Sequence, residues 1–111
     1  MADKVHFAAS MCSDISHICY LFLWKLQQIY KGDKVKRTVH EMLQLEIQRL
    51  DSCITSGMED GIERALVDLK KVFYLKLMKE LPADMDFDSP DLMGRGSKII
   101  ESLKNSFLSV A

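Results

Sequence analysis

Residues 18–24 read Ile18-Cys19-Tyr20-Leu21-Phe22-Leu23-Trp24, an unbroken apolar run. A helix on the surface of a globular protein carries an apolar stripe, whereas this segment is apolar all the way round. What covers its far side bears on both fold and function. Lipid is excluded first. A membrane span needs about 20 apolar residues, and this run reaches only about 10 Å as a helix. Asp14, Ser16 and His17 lie just before it, and Lys25, Gln27 and Gln28 just after. The cover must be protein.

The same run belongs to a longer pattern. Val5, Ala8, Cys12, Ile15, Cys19, Phe22, Leu26 and Ile29 follow one another in alternating steps of three and four. That is a heptad seam, and it predicts a first helix over 2–31. Gly32 supplies the left-handed residue that ends such a helix. Ser13-Asp14 offers an alternative cap inside the span. Asp33 reads as the N-cap of a second helix over 34–56, with Val35, Val39, Leu43, Ile47, Leu50 and Ile54 as its stripe. A connection of only Gly32-Asp33 would make these two helices antiparallel neighbours.

Ser56-Gly57-Met58-Glu59 has the capping-box spacing and opens a third helix over 57–81, with Ile62, Leu66, Leu69, Phe73 and Leu77 on one face. Pro82 ends it. Residues 82–91 (PADMDFDSPD) read as an acidic, solvated loop. Ser89-Pro90 looks like a cap followed by proline at the first helical position. Gly94 and Gly96 each cost about 1 kcal/mol against alanine in a helix. The fourth helix is therefore expected from 90 at the earliest, and most securely from 97 to 109. With no proline before Pro82 and no run of period two, the chain reads as all-α. The expected architecture is a single domain over 1–111, an antiparallel up-down bundle of four helices, the fourth shorter.

The composition, 48% hydrophobic and 28% charged, is that of a soluble globular domain. The net charge of −1 lacks the basic excess of many nucleic-acid binders. Cys12, Cys19 and Cys53 are odd in number and form no C-x-x-C pair, so reduced, buried thiols are expected. Residues 1–12 hold no sustained apolar core of a signal peptide. Together these point to a cytoplasmic protein.

Placing the seam at heptad positions a and d locates the rest of the ring. Ile18 and Leu23 flank the seam and belong to an ordinary core face. Tyr20, Leu21 and Trp24 fall at b, c and f, which should face water, and His17 joins them one turn earlier, with Phe7 further back on that side. Tyr20, Leu21 and Trp24 together represent roughly 400–600 Å² of mostly apolar area, as large as the biggest patch on a typical monomer. Two covers are expected candidates: the fourth helix, or another chain.

Motifs for chemistry are weak. Asp84, Asp86 and Asp88 have the spacing that starts an EF-hand, but the required Gly and Glu are replaced by Ser89 and Arg95. Cys12, His17 and Cys19 lie within two turns, yet both cysteines belong to the seam, so no metal site is assigned. The Glu-x-x-His motif of di-iron bundles does not occur. No cofactor, catalytic residue or small-molecule substrate follows from the sequence.

The leading expectation is a non-enzymatic protein–protein interaction module of the adaptor, chaperone, inhibitor or immunity type. It would self-associate as a homodimer or dock a protein partner through His17, Tyr20, Leu21 and Trp24, with Trp24 as the anchor. The alternative is a small helical regulator touching nucleic acid through Lys34, Lys36 and Arg37, where phosphate contacts would carry the binding.

Overall fold

The computed structural model describes the backbone of residues 2–35 and 37–110 and the side chains of 10–35 and 37–109. The seam positions Val5 and Ala8, the neighbouring Phe7, and Lys36 lie outside the described side chains. Four helices follow in order: α1 (Ala2–Tyr30), α2 (Val39–Thr55), α3 (Ile62–Glu80) and α4 (Leu92–Val110). The all-α four-helix bundle is as the sequence predicts. α4, at 19 residues, is shorter than α1 at 29 but equals α3 and exceeds α2 at 17.

α1 runs through Ser13-Asp14 without a break. The Ser16 hydroxyl is buried and donates to the Cys12 carbonyl at 2.6 Å, so its burial leaves no polar group unsatisfied. Cys12, Ile15, Cys19 and Leu26 of the seam are buried. The seam is not centred as expected, however. Ile29 is 66% exposed, while Leu23 and Ser16, one position round the helix, are buried. The cause is the neighbours: α1 packs against α3 and α4, and no α1–α2 packing is present among the described residues.

That last point corrects the expected pairing of the first two helices. Asp33 does not cap α2. The helix starts at Val39, and Thr38 is its N-cap. Thr38 Oγ1 accepts from the Glu41 amide at 3.1 Å, and the Thr38 amide donates to Glu41 Oε2 at 3.3 Å. This reciprocal box satisfies two backbone donors, one of them the amide of the cap residue itself. Residues 31–38 become a longer connection. Val35 is left exposed, and α2 is free to pack on α3 instead of α1.

α3 also starts later than expected, at Ile62. The Ser56–Glu59 box does not form, because Ser56 closes α2: its amide donates to the Ser52 carbonyl and its hydroxyl to the Cys53 carbonyl, both at 3.0 Å. Gly57 and Gly61, at φ of 104° and 152°, then turn the chain into α3. α4 is continuous from Leu92, with Gly94 and Gly96 inside it. Gly96 is explained by close approach, since a Cβ there would lie 2.8 Å from Leu23 Cδ1.

The acidic segment 82–91 is not a solvated linker. Met85 and Phe87 are buried, and the Phe87 ring lies 5.5 Å from that of Tyr30. The Val39 amide donates to the Met85 carbonyl at 2.9 Å, and the Gly32 amide to Asp88 Oδ1 at 2.7 Å. The segment thus closes one end of the bundle and ties the α1–α2 connection to it. The core runs from this cap through Leu23, Leu43, Leu77 and Leu92 to Phe73 and Tyr74.

Candidate interaction face on the first helix

α1 presents two unlike sides. Its inner side meets α3 and α4. Its outer side carries His17, Tyr20, Leu21 and Trp24, the residues singled out from the sequence, and the fold brings all of them to one face. Trp24 is 45% exposed and Tyr20 39%; His17 is exposed and Leu21 half-buried. α4 reaches only the edge of this face. There, His17 and Tyr20 share a cleft with Ile100, Glu101 and Lys104. Trp24 does not line it.

The apolar face is wider than the heptad reading allowed. Ile18 is 39% exposed and continues it, and Ile29 extends it toward the C-terminal end of α1. Both were expected to be core. The signal that could have moved them outward is the seven-residue spacing of Ser16, Leu23 and Tyr30. These mark a buried flank on one side of the seam, at the expense of the other.

The inner side of α1 holds chemistry of a quiet kind. Cys19 and Tyr74 are both buried in the core, and the Phe22 ring packs 5.1 Å from that of Tyr74. Burial pushes the Cys19 thiol up to about 12, although Tyr74 and Lys70 favour the thiolate. Burial likewise raises the Tyr74 hydroxyl, helped by Cys19 and Glu46. A thiol held protonated in an apolar core is a packing group and not a nucleophile. Cys12 is raised by burial too.

Cys12 and Cys19 point inward while His17 is exposed, so these three do not converge. Among the described residues, no group of three or more His, Cys, Asp or Glu could hold a metal. The loop aspartates serve local structure: Asp86 Oδ1 accepts from the Asp88 amide at 3.0 Å, and Asp88 holds Gly32. Of the basic residues proposed for nucleic acid, Lys34 is exposed and Lys36 lies outside the described residues. Arg37 stacks its guanidinium 5.1 Å from the Tyr30 ring centre, which places it on the bundle's capped end. Among the described residues, no helix is long and apolar enough to cross a membrane.

Compared with known proteins, the chain matches no family model, no curated protein and no solved structure.

Proposed function

We propose that the protein is a non-enzymatic protein–protein interaction module. It self-associates or docks a protein partner through the outer face of α1, with His17, Tyr20, Leu21 and Trp24 in the contact. One observation carries this reading. Trp24, the only tryptophan in the chain, stands 45% exposed among other exposed apolar residues on a helix whose core side is already filled. Tryptophan and tyrosine contribute large, rigid contact areas and are enriched at the centres of protein interfaces. A monomer has no packing reason to leave them in water. The three free thiols suit a cytoplasmic setting.

The test is the solution mass and helicity of wild type and Trp24→Glu, with retention of a partner by each. The reading expects association that is lost in a variant of unchanged helicity. A variant that unfolds would make Trp24 a structural residue. A wild type that neither self-associates nor holds a partner in a Trp24-dependent way would remove the proposed function.

A further inference from the structure

We infer that the occupant of this face is a second copy of the same chain, its α1 lying antiparallel across a two-fold axis at the level of Cys19 and Tyr20. The inference rests on the outer face of α1 being the contact surface, and it adds the partner and the geometry.

The outer face is itself patterned. Asp14, His17, Leu21, Trp24 and Gln28 follow in steps of three, four, three and four. This is a second heptad seam on the back of the first, with Ile18 and Lys25 flanking it. Of these residues only Leu21 is even half-buried. The seam is apolar in the middle, at Ile18, Leu21 and Trp24. Charges of opposite sign stand on either side of that middle, Asp14 toward the N-terminal end and Lys25 directly after Trp24. Neither has an ion-pair partner among the described residues.

A two-fold contact requires a surface that complements itself, so that if one residue meets another, the reverse contact also forms. The midpoint between Asp14 and Lys25 falls at Cys19–Tyr20, within about two residues of the centre of the apolar stretch. An antiparallel pair centred there sets Asp14 of each copy opposite Lys25 of the other. It also brings Ile18 of each copy toward Leu21 and Trp24 of the other. A parallel pair would instead set Asp14 on Asp14 and Lys25 on Lys25, repelling at both ends. The charges therefore make the face complementary to itself and fix the direction of the pair. The open strip from Asp14 to Gln28 is about 20 Å long. Such a contact falls below the usual size of about 800 Å² per partner, in the range of weak and transient association.

The test is sedimentation equilibrium of the full chain over a concentration series. Wild type is compared with Asp14→Lys, Lys25→Asp, the double exchange and Trp24→Glu, with circular dichroism of each. Asp14 and Lys25 are exposed, so the exchanges leave the fold intact. Each single reversal acts twice in a symmetric dimer and is expected to weaken it roughly ten-fold; the double exchange restores it, and high salt shrinks the differences. A wild type that is monomeric throughout overturns the inference, while the proposed function still turns on a Trp24-dependent partner. A dimer broken by Trp24→Glu but not rescued by the double exchange overturns the antiparallel pairing and leaves the face intact. A dimer indifferent to all of the substitutions places the interface elsewhere and removes both.

Discussion

Gly94 and Gly96 stand one residue apart in α4 and do different things. Nothing would meet a Cβ at Gly94, whereas one at Gly96 would press on Leu23, which is fully buried between α1 and α4. Gly94→Ala is therefore expected to stabilise the protein by up to about 1 kcal/mol through helix propensity. Gly96→Ala gains the same propensity but must displace a packed leucine, and overpacking of this kind costs about 1–3 kcal/mol. Urea unfolding of the two variants is expected to move the midpoints in opposite directions. The sequence showed two glycines and read both as interruptions. The close approach that justifies one of them exists only between two helices distant along the chain.

Cys19 and Tyr74 give a second outcome at this scale. In the unfolded chain the Cys19 thiol titrates near its ordinary value of 9.0, and in the fold burial holds it up to about 12. Between those values the unfolded state releases a proton that the folded state keeps. The stabilisation is thus fully present below about pH 9 and is lost as pH rises toward 12. Tyr74, raised in the same direction, adds to the loss. Urea midpoints measured through this range are expected to fall with pH. Thiol titration of the native protein near pH 8 should label the half-buried Cys53 and spare Cys19 until unfolding.

Among the elements, α2 depends most on local signals. Its capping box is spelled Thr38-Val39-His40-Glu41, and both hydrogen bonds of the box form. Thr38→Ala is expected to cost about 1 kcal/mol. Asp33→Ala, at the residue first read as the cap, should change stability by less than about 0.5 kcal/mol; thermal or urea unfolding separates the two. From the sequence Asp33 alone reads as the cap, although Thr38 and Glu41 stand at the box spacing. The later cap won because it is reciprocal. Starting there also lets the Val39 amide reach the Met85 carbonyl and His40 Nε2 come within 3.0 Å of the Leu81 carbonyl oxygen. These contacts lie across the chain, so local spacing could not rank the two starts. α3 teaches the converse. A serine three residues before a glutamate is a capping box only if the serine is not already closing the helix before it.

At the scale of the whole molecule, the helices are unequally supported. α3 packs against all three others, α1 against α3 and α4, and α2 against α3 alone. α2 is further held by Lys71, which pairs with Asp51, and by the cap at residues 81–88. An exposed ion pair adds little. Hydrogen exchange is therefore expected to show amides in the middle of α2 opening at a lower free energy than those in the middle of α1 or α3. Equal protection of all four would mean that α2 is bound to the core as firmly as α1. The same asymmetry exposes one side of α1. With α2 packed on α3 and α4 reaching only the edge of the outer face, Trp24 stays 45% exposed among the described residues.

The sequence by itself determined the helical class, the number of helices, and the clustering of Tyr20, Leu21 and Trp24 on the back of α1. These follow from spacing along one helix, which depends only on the 3.6-residue turn. It also placed the ends of α1 and α3, at Gly32 and Pro82, because those stops are backbone properties of single residues. The tertiary structure decided which helices touch, which of two caps starts α2, and why a glycine sits at position 96. It also turned an acidic stretch into the lid of the core. Each of these is a competition between contacts far apart in the chain, and only packing settles which side of a helix is inside.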